Sequence, residues 1–278
     1  MKSNRTIINF CPTGMVPQKV DTPHVPVSPS EIIEQTHQAY ELGITIVHIH
    51  AREEDGTPSW KPEIYQEIIE GIRKHCPGLV ICASTSGRNV SEFEKRSAVI
   101  ELKPDMCSLT LSSLNFMHQA SVNEPQTIVK LAEKMKRFGV HPELECFDLG
   151  MINYGFYLIK KGILKPPFYW NLIFGNIAGF QPKQYHITAA VSDIPESHSI
   201  VFGGIGKFQA NVIETAIAEG FGVRVGLEDN IWLDSGQSKL ATNVQLLQGV
   251  HAKVENAGKE LLSYTDFGNM GFYNGFNF

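Results

Sequence analysis

The chain lacks the features that would commit it to the cell exterior, a membrane or nucleic acid. Its five cysteines, Cys11, Cys76, Cys82, Cys107 and Cys146, are odd in number and scattered, with no CxxC pair. That argues against a disulfide framework and suits reduced thiols in a cytoplasmic protein. No apolar run approaches the ~20 residues that a bilayer crossing takes. The N-terminus, Met1-Lys2-Ser3-Asn4-Arg5, passes directly into a short apolar run at 6–10. This run reads as a strand and not as the core of a signal peptide. Positive charge is scarce too: 24 Lys+Arg against 29 Asp+Glu leave a net −5, no electrostatic footprint for nucleic acid. No GxGxxG follows the first apolar run, as a dinucleotide fold would need. No internal repeat is visible.

What is present is globular and regular. With 278 residues, 42% of them hydrophobic, the chain can bury a large core. The length fits one (β/α)₈ barrel, typically ~250 residues. Eight β-rich runs stand at 6–10, 44–52, 79–83, 106–109, 142–147, 168–174, 199–202 and 223–227. Helical periods lie between most of them. One runs from Ser28, with Pro29 and Glu31 forming a helix start, to Gly43. Others cover 62–75, 92–102, 127–138, 151–161, 212–219 and 240–254, and none is assigned between the sixth and seventh β-rich runs. Alternating strands and helices argue for a parallel sheet. A single (β/α)₈ TIM barrel over residues 1–278 is the economical reading, and an open doubly wound sheet the alternative. The tail at 265–278, rich in Gly, Asn and Phe without a helical period, is expected to be loose or to meet a neighbouring subunit.

The second run, Ile44-Thr45-Ile46-Val47-His48-Ile49-His50-Ala51-Arg52, holds two histidines spaced i, i+2. Strand side chains alternate faces, so His48 and His50 point the same way. They are either core histidines or the start of a metal site. Barrel active sites sit at the C-terminal ends of the strands. Those ends also carry Ser84, Thr85, Ser86, Ser108, Thr110, Glu145, Asp148, Arg224, Glu228 and Asp229. So many polar groups inside a barrel cost free energy unless paired or ligated. Glu228 is the candidate third ligand, because two histidines and a carboxylate leave a coordination position open. Its other reading is a carboxylate at a helix N-terminus. Arg224, inside an apolar run, calls for a carboxylate from Asp229 or from substrate, unless it lies outward. Ser84-Thr85-Ser86-Gly87 suits a carboxylate or a phosphate. Gly203-Gly204-Ile205-Gly206 either touches a phosphate or serves a tight turn.

On these residues the chain resembles the β-keto acid cleavage enzyme family. The matching stretches are Val47-His48-Ile49-His50-Ala51-Arg52 with Asp55-Gly56, Ser84-Thr85-Ser86-Gly87, Ser113-Leu114-Asn115-Phe116, Pro142-Glu143-Leu144-Glu145, Gly204-Ile205-Gly206 and Gly226-Leu227-Glu228-Asp229-Asn230, within roughly residues 5–260. The resemblance implies a zinc-dependent (β/α)₈ barrel, a homo-oligomer (dimer or tetramer). It implies condensation of a β-keto acid with the co-substrate acetyl-CoA, giving acetoacetate and a shortened acyl-CoA. It implies zinc on His48, His50 and Glu228, with Asp229 as the acid/base group, oriented by Arg224 and assisted by Glu145. Ser84, Gly87 and Ser108 would hold the substrate carboxylate. A zinc hydrolase and a non-catalytic acyl-CoA or keto-acid binder are the alternatives. Acetyl-CoA dependence separates the first of these, and turnover the second.

The sequence departs from the family at Val16. Where the member acting on 3-keto-5-aminohexanoate carries an acidic residue for the substrate amine, Val16 stands here in Gly14-Met15-Val16-Pro17. A cationic chain would be left unpaired, so the expected substrate is a neutral β-keto acid, with no cationic side chain. The check is direct: 3-keto-5-aminohexanoate should be turned over poorly, and efficient turnover would refute this reading of Val16.

Overall fold

The computed structural model describes residues 4–275. Eight strands close a parallel barrel in chain order: β1 (Ile8–Phe10), β2 (Ile46–Ile49), β3 (Val80–Ala83), β4 (Met106–Thr110), β5 (His141–Cys146), β6 (Tyr169–Phe174), β7 (Ser199–Gly204) and β8 (Gly222–Val225). The helices between and after them are α1 (Pro29–Glu41), α2 (Pro62–His75), α3 (Phe93–Ser97), α4 (Pro125–Arg137), α5 (Leu149–Lys160), α6 (Gln184–Ser192), α7 (Gln209–Glu219) and α8 (Asn243–Asn256). Because β1 pairs with both β2 and β8, the sheet has no edge here, which rules out the open alternative.

Local chemistry explains most boundaries. Ser28 caps α1 through Glu31 N–H, Glu31 returns the bond, and Pro29 opens the helix. The helix buries Ile32, Thr36 and Ala39 against the barrel. Thr242 and Gln245 build a second capping box, so α8 begins at Asn243, later than its periodicity implies. The third helix is α only over Phe93–Ser97 and tightens to a 3₁₀ turn over Ala98–Leu102. Helix α6 has nine residues and buries Ile187 and Ala190 while Tyr185 stays exposed, too slight an apolar stripe to stand out in the sequence. Strand β8 stops at Val225, and the chain leaves the sheet at Gly226. Leu227, Glu228 and Asp229 therefore belong to the loop that follows, not to the strand.

Strand alternation sorts the side chains. In β3, Val80 and Cys82 join the inner core, and Ile81 and Ala83 pack outward under the helices. In β2, Ile46 faces in and Val47 and Ile49 face out. By the same alternation His48 and His50 lie on the inner face.

The N-terminal half of the interior is apolar, and the C-terminal segment closes it. Leu262, Phe267 and Phe272 cluster with Ile7, Ile46, Val80, Met106, Tyr169 and Val201. The Phe267 and Phe272 rings stack at 4.2 Å, and Phe267 meets Tyr169 edge-on at 5.8 Å. Asn274 is buried, its backbone N–H donating to Asp105 and its amide to the Pro104 carbonyl. Within 265–275, Phe267, Gly268, Phe272 and Asn274 are thus buried, while 276–278 lie outside the described residues. The phenylalanines follow no single helical period because the segment makes two short turns, Tyr264–Phe267 and Gly268–Phe272.

Phe267 is fully buried in this plug. Phe267→Ala should lower the unfolding free energy by about 3–5 kcal/mol, in the range for truncating a buried aromatic. Urea unfolding followed by circular dichroism reads it; a loss below about 0.5 kcal/mol, typical of surface positions, would show that the segment does not contribute to the core.

Candidate metal centre and active site

The polar half of the interior opens at the C-terminal ends of the strands. Ligand atoms of His48, His50 and Glu228 all lie within 4.8 Å of one another. His48 Nε2 is 3.2 Å from His50 Nε2, and His50 Nε2 is 3.3 Å from Glu228 Oε1. Strand β2 supplies His48, the residue just past its end is His50, and the loop after β8 brings Glu228 across β1. Glu228 N–H donates to Cys11 C=O just past β1, which fixes that approach. The loop does not open a helix, since α8 starts only at Asn243, so Glu228 is not a helix N-terminal carboxylate.

Glu143, from the middle of β5, sits behind this triad. It is fully buried, and its carboxylate accepts from four groups: Asn9 Nδ2 at 2.7 Å, Asn171 Nδ2 at 3.1 Å, His48 Nδ1 at 2.7 Å and Cys82 Sγ at 3.3 Å. The His48 bond puts the ring proton on Nδ1 and turns the Nε2 lone pair toward His50 and Glu228, as a metal ligand requires. His48, Cys82 and Glu143 also lie close enough to form a donor cluster. Both oxygens of Glu143 are already engaged in orienting neighbours, so this cluster is the support of the triad.

Arg224, inward from β8, is buried and bound to two carboxylates. Its Nε and Nη2 donate to Asp229 at 2.7 and 3.3 Å, and Nη2 also reaches Glu228 Oε1 at 2.6 Å. Glu145 lies further off, 3.9 Å from Nη1, and accepts from Thr110 Oγ1 at 2.7 Å. Burial alone would lower the His48 pKa, but the charges of Glu143 and Glu228 outweigh it and raise the value to about 9. Burial would raise Glu228, yet Arg224, His50 and His48 hold it well below the carboxylate range. Burial pushes Glu145 up, with the Glu143 charge adding to the rise. Burial also pushes Asp229 up; Arg224 opposes this and the Glu228 charge reinforces it.

These contacts test whether a divalent metal fits. The donors are two imidazoles and a carboxylate, a common catalytic zinc set. Glu228 Oε2 is buried without a hydrogen-bond partner. A site that raises an imidazole's proton affinity is short of positive charge. Each observation suits a cation beside His48, His50 and Glu228.

The hydroxyl groups are poised to donate. Ser108 Oγ accepts from Thr85 N–H at 3.0 Å, and Ser84 Oγ from Ser86 N–H at 3.2 Å. Each hydroxyl proton is then available to an anion. Gly87 leaves no room for a side chain: a Cβ would come 2.5 Å from Arg96 Nη1 and 2.6 Å from Val122 O. Val16 is 61% exposed in the loop after β1. That loop is pinned by Arg52, which is buried and donates to the carbonyls of Gly14, Pro17 and Gly56.

Several sequence readings resolve here. His48, His50, Glu228, Arg224 and Asp229 converge. Ser84, Gly87, Ser108 and Glu145 lie on the same end of the barrel. Asp148 instead caps α5 by accepting from Met151 N–H. The Gly203–Gly206 run serves a turn: Ile205 N–H donates to Phe174 C=O, Gly206 N–H to Asp229 C=O, and a Cβ at Gly203 would press on Arg224 Cδ at 3.0 Å. The supporting Glu143, Asn9 and Asn171 were not singled out, although Asn9 and Asn171 are polar residues within apolar strands.

Comparison with known proteins follows the same lines. The profile of the beta-keto acid cleavage enzyme family matches residues 5–268. The chain is 35% identical over 257 residues to the 3-oxoadipate:acetyl-CoA acetyltransferase of Cupriavidus necator, covering 91% of this chain and 89% of that one. It is 32% identical over 258 residues to the 3-keto-5-aminohexanoate cleavage enzyme of Fusobacterium nucleatum, covering 92% and 94%. Among solved structures, ObcA in its binary complex with oxaloacetate superposes with a TM-score of 0.78 at 17% identity, covering 91% of this chain and 68% of that one, a likeness of fold.

The role given to Glu143 can be measured without substrate. Glu143→Gln should weaken zinc binding about 10- to 100-fold, the usual effect of losing a carboxylate behind a ligating histidine. Competition with a chromophoric chelator reads it, and unchanged affinity would show that His48 does not depend on Glu143.

Proposed function

The chain belongs to the beta-keto acid cleavage enzyme family, and from that premise we propose that it is a zinc-dependent acyltransferase that condenses a β-keto acid with acetyl-CoA, releasing acetoacetate and a shortened acyl-CoA. The observation that carries the proposal is the joining of two features at one barrel end. One is the His48–His50–Glu228 triad with its unpartnered Glu228 oxygen. The other is the Arg224–Asp229 pair beside it.

Zinc held by His48, His50 and Glu228 would act as a Lewis acid toward the β-keto oxygen. The rest falls to the chain's own groups. Ser84 and Ser108 donate their hydroxyl protons to the substrate carboxylate, and the narrow turn at Gly87 lets the backbone approach it. Asp229 takes the proton from the carbon between ketone and carboxylate, as a group whose pKa burial has pushed up can do at moderate driving force. Arg224 holds Asp229 in place through Nε and Nη2 and keeps the ionised form soluble in a buried site. Glu145, reached by Arg224 only at 3.9 Å, assists from the far side of the guanidinium. Across the whole reaction the acetyl group passes to the α-carbon of the keto acid, the bond between the α- and β-carbons breaks, and the CoA sulfur takes the acyl group.

A dimer or tetramer in the cytoplasm completes the proposal. The compartment is supported by the five cysteines, all free and buried, and the oligomer rests on the resemblance alone. No helix among the described residues is long and apolar enough to cross a membrane.

The test is acetoacetate formation from acetyl-CoA and a panel of β-keto acids by the zinc-loaded protein. His48→Ala should lose both zinc and turnover. Asp229→Asn should keep zinc and lose kcat by about 10²- to 10⁴-fold, the worth of a positioned general base. Keto-acid hydrolysis without acetyl-CoA would overturn the transferase, and full zinc content in His48→Ala would overturn the ligand set.

A further inference from the structure

Four arginines stand at the catalytic end, and the side chains of three are hydrogen-bonded, although Nη1 of Arg224 lacks a partner. Arg52 donates to backbone carbonyls, and Arg224 to Asp229 and Glu228. Arg96 donates to the carbonyls of Thr85 and Val122 and to Asn123 Oδ1. Arg88 is different. Its side chain makes no hydrogen bond or ion pair among the described residues, and its Nε is buried without a partner. Yet it is held in place. The guanidinium carbon lies 3.5 Å from the Phe116 ring centroid, and Phe116 is itself braced edge-on by Phe147 at 5.5 Å. The Arg88 backbone is fixed as well, donating to Ser86 Oγ and accepting from Gln119 Nε2. Burial lowers the Arg88 pKa, and the charges of Glu228, Glu145 and Asp229 oppose the drop, so the cation is within electrostatic reach of the site.

A planar fork, stacked on an aromatic face and left without an anion, suits a carboxylate presented by a ligand. The carboxylate common to all β-keto acids already has donors in the Ser84 and Ser108 hydroxyls. What lacks a partner in the substrate is its far end. We infer that Arg88 is a specificity-determining residue that binds a second carboxylate on the distal end of the substrate, making the preferred substrates dicarboxylic β-keto acids. The inference rests on the transferase reading above and narrows it. It replaces the neutral tail expected from Val16 with an anionic one, and both exclude a cationic tail.

The experiment compares 3-oxoadipate with 3-oxohexanoate, which has the same six-carbon chain without the distal carboxylate. In the zinc-loaded protein kcat/KM should favour 3-oxoadipate. Arg88→Gln should cut that preference about 10- to 100-fold, the effect of losing a charge-assisted, two-pronged hydrogen bond. Arg88→Lys, keeping the charge without the fork, should fall between. A merely structural role would lower both substrates together and leave the ratio unchanged, which would overturn the inference. So would a wild-type protein that prefers 3-oxohexanoate, or an Arg88→Gln defect that disappears when acetyl-pantetheine replaces acetyl-CoA, since that assigns Arg88 to the CoA phosphates. A second readout needs no turnover. By calorimetry adipate should bind wild type more tightly than hexanoate, and Arg88→Gln should bind the two alike. If no keto acid yields acetoacetate the transferase reading fails, while equal binding of adipate and hexanoate by wild type overturns the role of Arg88 alone.

Discussion

The carboxylate of Glu143 is fully buried in the interior of the barrel, and four donors from four different strands meet its charge. Asn9 comes from β1, His48 from β2, Cys82 from β3 and Asn171 from β6. An isolated charge there would cost many kcal/mol, so Glu143 stays ionised only because these groups converge on it. The convergence has a consequence for His48. Its Nδ1–H is committed to Glu143, and its Nε2 is left facing His50 and Glu228. One buried charge thus sets the tautomer, the ring orientation and the open side of the triad.

The same logic repeats a layer higher. Arg224 is buried, and its charge is met by Asp229 and Glu228. Glu228 serves both the guanidinium and the imidazole, which couples the two halves of the site. The polar groups gather at one end of the barrel, and the opposite end is filled by apolar side chains closed over by Phe267 and Phe272. Stability and chemistry are therefore separated along the barrel axis. The apolar half holds the strands together, and the polar half is free to carry groups that a core would reject. The loops at the polar end are held by buried arginines, Arg52 under the loop after β1 and Arg96 beneath the loop after β3.

Strand parity made much of the site readable. His48 and His50 share a face at any register, and Arg224 inside an apolar strand called for a carboxylate unless it lay outward. The two rings meet at 3.2 Å, and Arg224 turns inward to Asp229. The sequence pointed to Glu145 in β5, and not to Glu143, two residues earlier on the same face, which is the one that meets His48. Which of the two does so depends on the tilt of β5 relative to β2, two strands that never pair. The residue nearer the strand's start is the one that reaches the histidine, while Glu145 meets Thr110 and lies beside Arg224. Short or irregular elements were harder to read. Helix α6 carries too few buried residues to show a period, and the closing segment makes two turns of different kinds. The loop carrying Glu228 resembled a helix start in sequence because acidic residues favour both settings.

The sequence by itself determined the alternation of strands and helices, the two histidines on one face, and the polar character of the strand ends. These follow from local rules, in which periodicity, capping and the cost of burying charge act within a few residues. Only the tertiary structure decided which carboxylate serves which partner. Closing the barrel brought Glu143 behind His48, carried Glu228 past β1 to His50, and left Arg88 stacked on Phe116 without an anion. Each is a contact between residues 25 or more positions apart. Such contacts depend on strand tilt and loop path, which no local pattern in the chain encodes.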